Sequence, residues 1–274
     1  MKKIELVWFK RDLRTFDHAP LYNASLTNFS VVPLYVVEPE LWNLPFMSRR
    51  HWHFLNECLH DLRRECGRLG QPLVVRIGNS IEIFENLTKN FHINHIWVHQ
   101  ETSHSWSFDR DKKIKIWCRT KGIKLMEYPS NGIIRGLSDR NQWSKMRQTR
   151  LNFPITPMPE VLKSIRTISL GQIPSKDDKL FGESLNLNVQ SGGRKEAIKI
   201  IRSFTSLRSK NYMRNISSPL KSSESCSRLS PHLTWGTISV KEVIHFCTNM
   251  NQHFLENSIL TKKNLKAFSA RLAW

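Results

Sequence analysis

The sequence predicts an α/β domain with a five-stranded parallel sheet, followed by a connecting stretch and a helical region. Three observations carry this. Short apolar runs alternate with helix-period segments about five times within residues 1–130, the order that places parallel strands between layers of helices. The first run, Ile4–Phe9, is apolar without alternation, as in a strand buried on both faces. Beyond residue 190 the apolar positions recur at three- and four-residue steps, the period of packed helices.

Each element has its own signal. Ser30–Val37 (SVVPLYVV) reads as the second strand, and Pro33, which cannot donate, predicts an edge position or a bulge there. Between Ser48 and Gly70, residues Trp52, Leu55, Leu59, Leu62 and Cys66 mark one face of a helix, with Ser48 to cap its start and Gly70 to close its end. A strand at Pro72–Ile77, a helix near Ser80–Asn90, a strand at Ile93–His99, a helix over Phe108–Lys121 and a strand at Ile123–Tyr128 complete the domain. No G-x-G-x-x-G follows the first strand, so this Rossmann-like sheet lacks the dinucleotide fingerprint. Lys10-Arg11-Asp12-Leu13-Arg14 follows instead, read as a solvated loop with a structural Arg–Asp pair and no catalytic role. Gln100-Glu101-Thr102 falls at the carboxyl end of a strand, where ligands of open sheets bind.

Residues 1–130 are thus expected to fold as an independent domain. Prolines at 154, 157, 159 and 174 and glycines at 132, 136, 171 and 182 then interrupt any periodicity, so 131–190 reads as an interdomain linker. In 191–274, Ser191-Gly192-Gly193 opens a helix with Ala197, Ile198, Ile201 and Phe204 on one face. Val240, Val243, Ile244 and Cys247 form a second face, and Leu265, Phe268 and Leu272 a third.

The net charge of +19 and pI near 10.0 call for a polyanionic partner, nucleic acid ahead of a membrane surface. The excess is uneven: residues 1–130 hold 19 lysines and arginines against 14 acids, and residues 131–274 hold 23 against nine, a net +14. Five cysteines without C-x-x-C pairing predict free thiols in a reducing compartment. No apolar run is long enough for a signal peptide or a bilayer span. A soluble cytoplasmic monomer without a metal site is expected.

The densest chemistry lies between Asn211 and Val243. Ser230-Pro231 reads as an N-cap with proline at the first helical position, and Ser239-Val240-Lys241-Glu242 as a capping box. Cys226-Ser227-Arg228-Leu229 leads into the first of these helix starts. Its hydroxyl, arginine and helix-end amides suit a phosphate, although a solvated serine loop between two capped helices has the same composition.

Tyr212, Cys226-Ser227-Arg228-Leu229-Ser230-Pro231, Leu233-Thr234-Trp235-Gly236 and Ile238-Ser239-Val240 together resemble the start of the FAD-binding domain of the DNA photolyase and cryptochrome family. There an aromatic residue and a TSRLSP segment hold the FAD phosphates and ribitol; Cys226 takes the place of the threonine. Val7–Leu21, VWFKRDLRTFDHAPL, resembles the family opening V-W-F-R-R-D-L-R…D-N-x-A-L, with His18 where asparagine is usual. Gly192-Gly193-Arg194-Lys195-Glu196-Ala197 is similar to the family's GG-E-x-x-A, and the ending LKAFSARLAW to its F-x-x-x-L-x-W helix beside the flavin.

The resemblance implies FAD as cofactor, held by Tyr212, Cys226, Ser227, Arg228, Leu229, Ser230 and Phe268. It also implies DNA as partner, with Arg271 and Trp274 at the substrate, and a folate or deazaflavin antenna chromophore on the first domain, for which Gln100-Glu101-Thr102 are candidates. The implied activity is blue-light-dependent repair of pyrimidine dimers, a carbon–carbon lyase reaction. Arg271 stands where dimer enzymes commonly carry glutamate, which weakens a transfer of dimer specificity. Two other readings stay open: a cryptochrome-type signalling flavoprotein, and a fragment in which only the α/β domain folds. The family's asparagine near the flavin N5 and its electron-delivering tryptophans find no counterpart here. A truncated flavin domain is therefore expected, with Ile198, Ile201, Phe204, Leu265, Phe268 and Leu272 short of packing partners.

Overall fold

The structure, a computed structural model, describes residues 1–130, 132–183, 189–253 and 259–273, with side chains for all but 249–253 and 260. Its contacts divide the chain into two compact units, Met1–Ser130 with Thr156–Gly193, and Asn131–Ile155 with Arg194–Trp274.

In the first unit, β1 (Lys2–Phe9), β2 (Ser30–Val37), β3 (Val74–Ile77), β4 (Phe91–His99) and β5 (Lys124–Tyr128) form one parallel sheet in the order β3-β2-β1-β4-β5. Helices α1 (Ala19–Ser25), α2 (Pro39–Trp42), α3 (Arg49–Arg68), α4 (Ser80–Thr88) and α5 (Ser105–Thr120) lie between them in the chain. Central β1 buries successive residues, Leu6, Val7, Trp8 and Phe9; a strand covered on both faces needs no polar alternation. The predicted α/β fold with five parallel strands is the observed one.

Two local expectations are corrected. Strand β2 is interior, and no register shift interrupts its pairing; the sheet's irregularity lies between Ile4 and Glu5, where β1 pairs with β4. Pro33 is tolerated because pairing with β3 begins only at Leu34. Val31, two residues earlier and so on the same side, donates to the Lys163 carbonyl outside the sheet. Ser48 does precede α3, but its side chain makes no capping bond and its hydroxyl lies 3.3 Å from the His51 ring. The far end of α3 closes as expected. Gly70 at φ +116° donates to Gly67, and Gln71 to Cys66, the paired bonds of a Schellman stop.

The stretch read as a linker is divided between the units. Residues 156–193 run along the sheet unit as a strap. Leu162 donates to the Leu69 carbonyl at 2.6 Å, and the Leu170 carbonyl accepts from Val75 at 2.8 Å. Leu162, Ile165, Ile168 and Phe181 are all buried, and Phe181 stacks on Trp52 at 3.7 Å. The backbone carbonyls of 170–178 take donors from Arg63, Asn56, Trp52 and Arg49. Proline and glycine broke the periodicity here because a strap satisfies its polar groups against other elements rather than within itself.

The second unit holds α6 (Trp143–Asn152), α7 (Arg194–Ser206), α8 (Tyr212–Asn215), α9 (Ser222–Ser225), α10 (Ser230–Thr234), α11 (Val240–His253) and α12 (Ile259–Arg271). Ala197, Ile201, Phe204, Tyr212, Leu229, Ile238, Val243, Cys247, Leu265 and Phe268 form its core. The faces expected to lack partners therefore cover one another: Phe204 and Phe268 meet edge to face at 4.6 Å. Ile198 and Leu272 pack on the core only in part. The capping box forms as read, with the Ser239 N–H on Glu242 at 2.9 Å and the Glu242 N–H on Ser239 at 3.1 Å. Arg194 adds an ion pair to Glu242. All five cysteines are free thiols, and no helix of the described residues is long and apolar enough to cross a membrane.

Candidate functional site

The basic loop after β1 is buried rather than solvated. Lys10, Asp12 and Arg14 are at most 7% exposed, and the partners of Asp12 are histidines, not arginine. Asp12 Oδ1 accepts from the Lys10 N–H, while Asp12 Oδ2 lies 3.0 Å from His18 Nε2 and 2.6 Å from His99 Nδ1. The trio has the composition of a metal site. However, His18 Nδ1 accepts from the Leu21 N–H at 3.0 Å, so Nε2 carries the proton and has no lone pair to offer a metal. The three residues form a hydrogen-bonded knot in which His18 caps α1. Asp12 is held well below the usual carboxylate range: burial opposes this, and His18 and His99 outweigh it. Burial keeps His18 low and His99 at about 3, so both are neutral at pH 7.

Because the chain runs from β1 to β2 and β3 on one side and returns to β4 on the other, the topological switch point falls at the carboxyl ends of β1 and β4, where open sheets of this kind bind ligands. Lys10 pairs with Asp111, and Arg110 with Glu38, Glu101 and Asp111, its guanidinium 4.7 Å from the Trp8 ring centroid. Burial pushes Glu38 up despite Arg110. For Glu101 burial is opposed and outweighed by Lys10, Ser103 and Arg110, which hold it at about 2. Beside this network, Gln100 Oε1 and His104 Nε2 are buried without hydrogen-bond partners among the described residues. His104 Nδ1 accepts from the Ser107 N–H, so its orphan is a donor and that of Gln100 an acceptor.

In the second unit the segment 226–230 has a distinct backbone. Arg228 takes φ +60°, a left-handed conformation uncommon for a side chain of this size, and Leu229 follows at φ −87°, ψ −9°. Left- and right-handed residues in succession turn neighbouring N–H groups into an anion-binding concavity. The N-cap reading is corrected: Leu229, not Ser230, occupies the N-cap position, without a side-chain capping bond, and α10 spans only five residues. The short helix contributes little dipole, and within the loop the Leu229 N–H donates to Ser227 Oγ at 3.4 Å.

The candidate residues differ in access. Cys226 and Ser227 are half-buried, Arg228, Ser230 and Arg271 are exposed, and Leu229 is buried in the core. Tyr212 and Phe268 are each 5% exposed and meet edge to face at 5.6 Å, so they form the floor beneath the segment rather than an open wall. Burial raises the Tyr212 hydroxyl, with Cys226 adding to the shift and Arg271 opposing it, which brings these three together. Trp274 lies outside the described residues. Two residues escaped the sequence reading. Asn264, 1% exposed, accepts from the Met213 N–H and donates to the Lys210 carbonyl. Arg208 binds the backbone of the segment itself. An isolated Asn or Arg in a helical pattern carries no sequence signal of such long-range bonds.

A parallel sheet with charged side chains at its carboxyl ends, joined in the chain to a helical unit, defines an α/β protein with a helical second part. Residues 5–139 match the family model described as DNA photolyase. The chain is 25% identical over 274 residues to the deoxyribodipyrimidine photo-lyase of Buchnera aphidicola, covering 93% of this chain and 56% of that protein. A Synechocystis cryptochrome superposes with a TM-score of 0.83 at 18% identity, covering 99% of this chain and 59% of that one. The archaeal photolyase of Sulfolobus tokodaii, solved with two FAD molecules, gives 0.68 at 20% identity, covering 98% and 59%; at such identities the likeness is one of fold. Residues 5–139 belong to the DNA photolyase family, and the chain spans somewhat over half the length of these relatives.

Proposed function

We propose that the chain serves a FAD-dependent DNA photolyase acting on pyrimidine dimers, with the flavin phosphates on the 226–230 segment. The observation that carries this reading is the left-handed Arg228 and right-handed Leu229 inside the very segment whose sequence matches the family's flavin loop. Ser227, Arg228 and Ser230 would hold the phosphates, above a floor of Tyr212 and Phe268. The chemistry supplied by a bound reduced flavin is donation of an electron to the dimer on blue-light excitation. At the carboxyl end of the sheet, the unpaired Gln100 oxygen and His104 N–H support an antenna chromophore, a folate or a deazaflavin. Repair of dimer-containing DNA under blue light by the flavin-loaded protein tests the reading. Binding without repair would favour the cryptochrome alternative.

DNA is the proposed partner because the charge is concentrated in one unit. Residues 131–155 and 194–274 carry 19 lysines and arginines against five acids. Phosphate contacts release counterions, so affinity for duplex DNA is expected to fall about tenfold or more over a fourfold rise in salt. A flat salt profile in a fluorescence-anisotropy titration would count against a DNA-binding role.

The flavin itself is expected to leave during purification of the 274-residue chain. Arg228 and Ser230 are exposed, and charge contacts open to water are screened to little worth. Buried Tyr212 and Phe268 offer a floor but no cover. The purified chain should be colourless. A preparation that stays yellow through gel filtration and releases near-stoichiometric FAD on denaturation would overturn this.

A further inference from the structure

We infer that Arg208 is a positioning residue that fixes the phosphate-binding conformation of the 226–230 segment; the inference rests on the flavin reading above. Its guanidinium donates to the Cys226 carbonyl, to the Ser227 carbonyl at 3.3 Å, to the Ile200 carbonyl at 2.9 Å and to Ser203 Oγ at 3.0 Å. It thus ties two consecutive peptide groups of the segment to α7. Peptides here are trans, and in a planar trans peptide the C=O and the N–H point in opposite directions. Drawing the Cys226 and Ser227 carbonyls onto Arg208 therefore directs the N–H groups of Ser227 and Arg228 away from it. The same fork removes two carbonyl oxygens that would otherwise repel a phosphate.

The placement is specific to an arginine. Its planar fork can serve several carbonyls at once, whereas a lysine ammonium is a single point of attachment. Arg208 is half-buried, with its cation 5.7 Å from the Phe204 ring centroid. Burial lowers its pKa, and Arg228 nearby lowers it further. An anion bound to the segment offsets that repulsion between the two guanidinium groups. The left-handed φ of Arg228 is strained for a side chain of this size and persists only where surrounding contacts impose it, and the Arg208 bonds on the preceding carbonyls are such contacts. Arg208 touches the loop's carbonyls and not the ligand; its effect is on geometry.

The test is to titrate the full 274-residue chain with FAD and separately with riboflavin, which lacks both phosphates, following flavin fluorescence in wild type, Arg208→Met and Arg208→Lys. Wild type is expected to bind FAD more tightly than riboflavin. Losing the oriented amides should weaken FAD binding by Arg208→Met about tenfold and leave riboflavin binding unchanged, so that the preference disappears. Arg208→Lys should recover only part of it while melting at the wild-type temperature. A wild-type protein without preference would overturn the phosphate reading, and this inference with it. A wild-type preference that survives in Arg208→Met or is fully kept in Arg208→Lys would overturn the positioning role alone. Equal loss of both ligands in both variants would likewise reduce Arg208 to a general structural part.

Discussion

A fragment ending at Ser130 is expected to show no cooperative thermal transition, whereas one ending at Gly193 is expected to show one. Residues 1–130 contain every strand and α-helix described in the sheet unit, which makes them look sufficient. Yet Leu162, Ile165, Ile168 and Phe181 of the strap are each at most 8% exposed. At about 1.5–3 kcal/mol for each buried side chain, their loss removes roughly 6–12 kcal/mol, as much as the whole stability of a typical domain. The polar cost adds to this. Without the strap, the indole N–H of Trp52 and the amide of Asn56 lose their carbonyl acceptors, and the guanidinium of Arg63 keeps only the Leu73 carbonyl. Val31 and Val75 lose theirs at the β2–β3 side of the sheet. Calorimetry on the two fragments decides the point, and a cooperative transition of the shorter one near that of the longer would overturn it.

Acid is expected to destabilise the sheet unit well before ordinary carboxylates protonate. His18 and His99 are buried and neutral, with pKa values below the unfolded value near 6.5. Below that pH the unfolded chain binds the two protons and the folded chain does not. Stability present above about 6.5 is therefore lost as pH falls, by about 1.4 kcal/mol per pH unit for each histidine, until the folded pKa is reached. For His99 that limit is about 3. Asp12, held low, adds its own loss further down, below about pH 4. His18 is the informative position. Its Nε2 faces Asp12 and its Nδ1 takes the Leu21 N–H, so a second proton would set two donors against each other at the cap of α1. Asparagine offers the same donor and acceptor without titrating, and it is the residue usual in the family. His18→Asn should make stability fall less steeply as pH drops below about 6.5 and leave stability at pH 8 nearly unchanged. Urea midpoints across this range measure it; an unaltered slope would remove His18 from the account.

The alternation of unpatterned apolar runs with amphipathic stretches determined the parallel sheet, because strands such as Ile4–Phe9 buried on both faces must be apolar at every position. Local chemistry also read true where partners lie within a few residues. The Gly70 stop of α3 and the Ser239–Glu242 capping box each need only one turn of chain. Sequence resemblance singled out the segment proposed for the flavin for the same reason, as a contiguous run.

Tertiary structure alone decided what depends on distant partners. The strap at 156–193 looked like a linker, since its bonds go to Leu69, Val75, Trp52 and Asn56 rather than to its own neighbours. Pro33 looked like an edge residue, because only the sheet order reveals that its missing donor faces a place where β3 has not begun. Asp12 looked solvated until His99, 87 residues away, closed the knot around it. Arg208 binds carbonyls 18 and 19 residues ahead, at a spacing no helical or strand period encodes. The physical division is one of range: burial pattern and capping are written into neighbouring residues, whereas satisfaction of buried polar groups is settled only when the folded chain brings their partners to them.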